Sequence, residues 1–124
     1  MKIILSHQES EEFFYNALCN SLDYISGYGL ELSYKKEDYK SAKEKLESPC
    51  FEDVLMQILK DGNQLTLIDL EDGYYTKSIT IEDVHNKVQK SPLRHLTNMI
   101  NEEDDAETGD VIIQSVFFDD IIFG

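Results

Sequence analysis

Basic side chains are scarce in this sequence. Eleven Lys and Arg face 25 Asp and Glu, giving a formal net charge of −14. Such a chain offers no positive field to attract phosphates, which argues against direct nucleic-acid binding, and an anionic membrane surface repels it. Proline numbers only 2 and glycine 6, so neither a collagen-like nor a low-complexity chain fits. No apolar run approaches the roughly 18 residues of a membrane span. The start, Met1-Lys2-Ile3-Ile4-Leu5, has three apolar residues in a row, where a secretory signal needs about 7–15. A cytoplasmic protein is expected.

Cysteine is limited to Cys19 and Cys50. Cys19 lies in an apolar helical pattern and Cys50 beside Phe51, so both read as reduced core residues. Neither belongs to a Cys-x-x-Cys pair. His7, His85 and His95 show none of the i, i+3 or i, i+4 spacings of helix-borne metal ligands. They read as surface or rim histidines, with His85 one turn after Glu82 and in reach of it. Gly-x-Ser-x-Gly and the phosphate-cradling glycine loop are both missing. Adjacent carboxylates such as Glu11-Glu12 and Glu82-Asp83 do not face each other on a helix and make poor acid–base pairs. No catalytic residue, metal ligand or cofactor is therefore assigned.

What is present is an α+β pattern in a single domain, residues 1–124. A chain of this length buries roughly two-thirds of its unfolded surface and needs no disulfide staples. Residues 1–6 read as a strand. Ser6 and Glu9 then form a capping box, opening a helix with Phe14, Leu18, Leu22 and Ile25 on one face. Residues 30–35 alternate as a strand, and 36–47 read as a surface helix. Ser48-Pro49 offers an N-cap and a first-turn proline for a helix carrying Val54, Leu55, Ile58 and Leu59. Leu65 to Leu70 is a buried strand, and Asp72-Gly73 predicts a two-residue hairpin returning through Tyr74 to Ile79. Thr80 and Asp83 cap a short helix, and Ser91-Pro92 starts another. Residues 101–110 read as an acidic loop and Val111 to Phe118 as the most apolar strand. The expected sheet has five to six strands, mixed or antiparallel, with helices largely on one face.

Residues 30–72 and 75–120 further resemble two copies of one unit. Ser33, Glu37 and Asp38 match Ser78, Glu82 and Asp83, and Ser48-Pro49 matches Ser91-Pro92. Two β-α-α-β pseudo-repeats would follow. Tyr24, Tyr28, Tyr34, Tyr39, Tyr74 and Tyr75 are placed to gather around the sheet.

Charge is concentrated toward the end of the chain. After Arg94 there is no Lys or Arg, while eight acids follow: Glu102, Glu103, Asp104, Asp105, Glu107, Asp110, Asp119 and Asp120. Read as a calcium loop, the stretch fails. With Gly109 at the sixth position, Ala106 falls third, where a side-chain oxygen is needed. The same eight acids are the expected contact set for a protein partner. A negative face speeds capture of a basic target, and the reading is a non-enzymatic interaction module that binds a basic partner as an inhibitor or nucleic-acid mimic does. Acidity alone also keeps a small domain soluble. The alternative is a structural subunit that self-associates, as a homodimer, through its apolar C-terminal strand. A third reading is a small enzyme or metal-dependent sensor without a recognisable motif.

Overall fold

Hydrophobic spacing and caps set most of the elements in the computed structural model, which describes residues 2–124. Helix α1 spans His7–Gly27, with Ser6 and Glu9 forming the expected capping box. Strand β1 (Leu30–Ser33) leads into α2 (Lys36–Glu44) and α3 (Phe51–Lys60). Strands β2 (Leu65–Asp69) and β3 (Lys77–Ile79) follow. Helix α4 (Ile81–Lys87), a 3-10 turn over Val88–Lys90, α5 (Leu93–Ile100) and α6 (Ala106–Phe118) complete the order.

The α+β class stands, but among the described residues the sheet has three strands, not five or six. They are antiparallel in the order β1-β2-β3. Leu30, Leu65, Leu67 and Ile79 are buried on one face, while Thr66 and Ser78 share a 2.7 Å hydroxyl contact on the other. Residues 2–6 belong to no strand; Leu5 is held by its N–H donating to the Gln89 side chain at 3.0 Å. The expected two-residue hairpin is longer, because Asp69 and Asp72 bind main-chain N–H groups of the turn and only Lys77–Ile79 pairs.

The largest correction concerns the end of the chain. Val111 to Phe118 is helical. The side chain of Asp105 accepts from the Thr108 N–H at 2.9 Å, and this cap starts α6 inside the stretch read as an acidic loop. An unbroken apolar run does not distinguish a buried strand from a buried helix. Here every residue from Thr108 to Phe117 is buried. Gly109 hides the helix from a propensity reading, since mid-helix glycine costs about 1 kcal/mol relative to Ala. Its reason is the crossing with α1. A Cβ at Gly109 would fall on the Ser21 hydroxyl and within 3.2 Å of the Ala17 Cα.

With α6 a helix, the run 75–120 has the order β3-α4-α5-α6, with the 3-10 turn between α4 and α5. It does not repeat the β-α-α-β order of 30–72. Helix starts also shift. Cys50, not Ser48, caps α3, and Ser48 takes a positive φ of 48°. The core gathers Phe14, Ala17, Leu18 and Ile25 of α1, Leu55, Ile58 and Leu59 of α3, and Ile112, Ile113 and Val116 of α6. Among the described residues no helix is long and apolar enough to cross a membrane.

Candidate functional site

The eight carboxylates named from the sequence do not form one face. Asp105 and Asp119 stand at opposite ends of α6, about 20 Å apart at 1.5 Å per residue. Six of the eight have partners within the chain. Asp104 accepts from the Asn20 amide at 3.1 Å, and Asp105 caps α6. The Thr108 N–H holds the Asp105 carboxyl below the ordinary carboxylate range. Glu107 pairs with Arg94 at 3.1 Å and Asp119 with Lys87 at 3.2 Å. Asp120 accepts from the Ile121 N–H at 2.8 Å. Asp110 is buried, taking the Tyr28 hydroxyl at 2.6 Å and the Gln114 amide at 2.9 Å, so a partner cannot reach it. Glu102 and Glu103 are exposed.

A second acidic surface lies along the seam between α1 and α3. Its centre is the Asp53 carboxylate. It accepts the Cys50 N–H at 3.1 Å, which closes the capping box of α3, and it accepts the Tyr15 hydroxyl from α1 at 2.8 Å. One side chain thus starts a helix and ties it to its neighbour. The bond from Tyr15, with those from Cys50, holds the Asp53 carboxyl below its usual range. The Cys50 thiol and Asp53 in turn push the Tyr15 hydroxyl well above the ordinary phenol range.

Two clefts flank this centre. One, of about 350 Å³, lies between Glu11, Glu12 and Tyr15 of α1 and Asp53, Gln57 and Lys60 of α3. The other, of about 370 Å³, has Leu22, Leu32 and Phe51 in its wall and Asp23, Glu31 and Glu52 around them. Phe51 is 39% exposed there and packs at 6.2 Å from both Tyr34 and Tyr39, which stack at 4.9 Å. Strand β1 borders the second cleft. The Leu70 N–H donates to the Gly29 carbonyl at 2.9 Å. Antiparallel alternation from that bond turns the main-chain groups of Glu31 toward β2 and those of Leu32 away from it. The lining of the two clefts carries six acids and a single base, Lys60.

Histidines and cysteines depart from the sequence reading. His85 meets Glu11 at 2.7 Å rather than Glu82, because α4 packs against α1, and its ring stacks on His7 at 3.9 Å. His95 is buried, 3.0 Å from the Thr108 hydroxyl. Both cysteines are exposed. Cys19 falls outside the α1 stripe of Phe14, Ala17, Leu18, Ser21 and Ile25, and Cys50 precedes the first turn of α3. Among the described residues no group of three or more His, Cys, Asp or Glu is arranged to hold a metal. Five of the six tyrosines named from the sequence form two clusters, not one: Tyr34 and Tyr39 with Phe51, and Tyr28, Tyr74 and Tyr75 with Phe118 and Phe123, while Tyr24 is exposed outside both.

No protein-family model matches this chain, and neither the curated proteins nor the solved structures compared with it gave a match.

The seam was partly readable. Tyr15 and Cys19 are four apart and share a helix face, and Asp53 stands three residues after Cys50, the spacing of a capping box. Glu31 and Asp23 gave no signal, since only the pairing of β1 with β2 brings Glu31 beside α1 and α3.

Proposed function

We propose that the protein is a non-enzymatic binding module for a basic protein partner, and that the groove between α1, α3 and β1 takes an extended segment of that partner. The observation that carries this is the composition of the groove. Leu22, Leu32 and Phe51 offer an apolar seat, and Asp23, Glu31 and Glu52 stand around it with no base in the lining. Apolar anchors inside a charged rim suit protein recognition, and carboxylates on that rim favour Lys and Arg beside the seated side chain. The open side of β1 at Leu32 supplies main-chain groups for an extended chain. The exposed loop at Glu102 and Glu103 is tied to α1, which forms one wall of the groove, by the Asp104–Asn20 bond. It extends the negative field without touching the seated segment, which is a steering role.

The test is a titration of isotope-labelled protein with an alternating Lys-Leu octapeptide, followed by NMR at low and high salt. Shifts at Leu22, Asp23, Glu31 and Phe51 that fade at high salt are expected. Replacing Glu31 and Glu52 by Lys should weaken binding by about tenfold or more. A Glu-Leu octapeptide that bound equally well would overturn the reading, as would shifts confined to the far end of α6. Self-association at both salts, seen by light scattering, would favour the homodimer reading instead.

A further inference from the structure

We propose that Cys19 and Cys50 form a redox-active pair that closes to an intrachain disulfide joining α1 to the start of α3. Both thiols are exposed; Cys19 lies in α1 and Cys50 caps α3, which packs against α1. Both stand beside Tyr15. The Cys50 Sγ lies 3.6 Å from the Tyr15 hydroxyl, and Cys19 stands one helical turn after Tyr15 on the same face of α1. Bridging two cysteines needs Cα atoms within about 7 Å and sulfurs free to approach. Closing the bond would need the whole Tyr15 side chain to swing out from beside the Cys50 sulfur, which its hydroxyl contacts at 3.6 Å.

The chemistry balances with a peroxide as the oxidant. The Cys50 thiolate attacks one peroxide oxygen, the O–O bond breaks, and hydroxide leaves and takes up the thiol proton as water. The Cys50 sulfenic acid is then attacked at sulfur by Cys19, whose proton leaves with the hydroxyl group as a second water. Two thiols lose two electrons in all, and one peroxide becomes two waters. Cys50 is assigned the first step because it stands exposed at the N-cap of α3, where the positive helix end favours a thiolate. A general thiol-disulfide oxidant such as oxidised glutathione gives the same product by exchange.

The bond would cross the seam between the two clefts and fix the α1–α3 spacing on which the second cleft depends. This proposal does not rest on the partner reading above, since it is tested without a partner. Reduced full-length protein is treated with hydrogen peroxide, then digested without reductant and mapped by mass spectrometry. The expected product is monomeric, lighter by two hydrogen atoms, with the Cys19 and Cys50 peptides joined. Its melting temperature should rise and fall back with dithiothreitol. Cys19→Ser should stop at a Cys50 sulfenic acid that dimedone traps. Two outcomes overturn the proposal: both thiols still alkylated by iodoacetamide after peroxide, or disulfides found only between molecules.

Discussion

The hydroxyl of Tyr28 lies 2.6 Å from the carboxylate of Asp110, joining the residue that ends α1 to the second turn of α6. Burial and this bond push the Tyr28 hydroxyl up to about 12, from an ordinary value of 10.0. The folded state therefore keeps a proton that the unfolded chain loses first. The associated stability is complete below pH 10.0 and is lost as pH rises through about 12. Tyr15, raised further, adds to the same alkaline fall. A melting series from neutral to strongly alkaline pH should show a steep loss above pH 10.0. In Tyr28→Phe the loss should be shallower, from a start about 1–3 kcal/mol lower, because Asp110 stays buried with one bond fewer.

Gln114 should govern whether the chain end stays docked. It is fully buried and makes four bonds: its amide donates to Asp110 at 2.9 Å and to the Phe123 carbonyl at 3.1 Å. Its oxygen accepts from Ile122 at 2.8 Å and Phe123 at 2.9 Å. Gln114→Leu should cost about 1–3 kcal/mol and free residues 120–124. Carboxypeptidase should then trim the variant and spare the parent. Gln114→Glu should be worse, since it sets a second carboxylate against Asp110.

Gly109→Ala should destabilise by about 1–3 kcal/mol, although alanine is the better helix former, because α6 cannot retreat from α1 without opening the core. Chemical denaturation measures this. Adding Ser21→Ala removes the hydroxyl that the new methyl would meet but leaves the Ala17 main chain at 3.2 Å. Partial rescue is the expected result.

Converting Glu102 and Glu103 to Gln, with Asp104 and Asp105 to Asn, should change stability by less than about 1 kcal/mol, since Asn still caps a helix. Binding of the Lys-Leu octapeptide should slow in association while dissociation is unchanged, as expected of charges that steer and do not touch. Stopped-flow kinetics separates the two. A faster dissociation would place this loop inside the contact.

The elements that were legible are those whose cause is local. Ser6 with Glu9 and Thr80 with Asp83 fix helix starts by side chains three residues apart, and both boxes are present. The stripe from Phe14 to Ile25 likewise follows from a period the sequence displays. Residues 106–118 carry only one local helix signal, the Asp105 cap on Thr108, and an apolar run that fits a buried strand as well. Their helix packs through Gly109 against Ala17 and Ser21, about ninety residues earlier. The candidate site was obscured for the same reason. Of the acids nearest in sequence, 102–105, Asp104 ties the loop to α1 and Asp105 caps α6, which leaves only the Glu102 and Glu103 side chains exposed and unengaged among the described residues. Those that share a groove, Asp23, Glu31 and Glu52, come from three separate elements.

The crossing of α1 and α6 also sets an order of events during synthesis. Helix α1 is made well before α6, yet they form the most extensive contact between elements. Until α6 emerges, Phe14, Ala17 and Leu18 have lost the helix that covers them. Such distant pairing slows folding, because a long loop must close before the contact forms. A nascent chain stalled before residue 106 should therefore be sticky, and should bind a hydrophobic dye that the finished chain refuses.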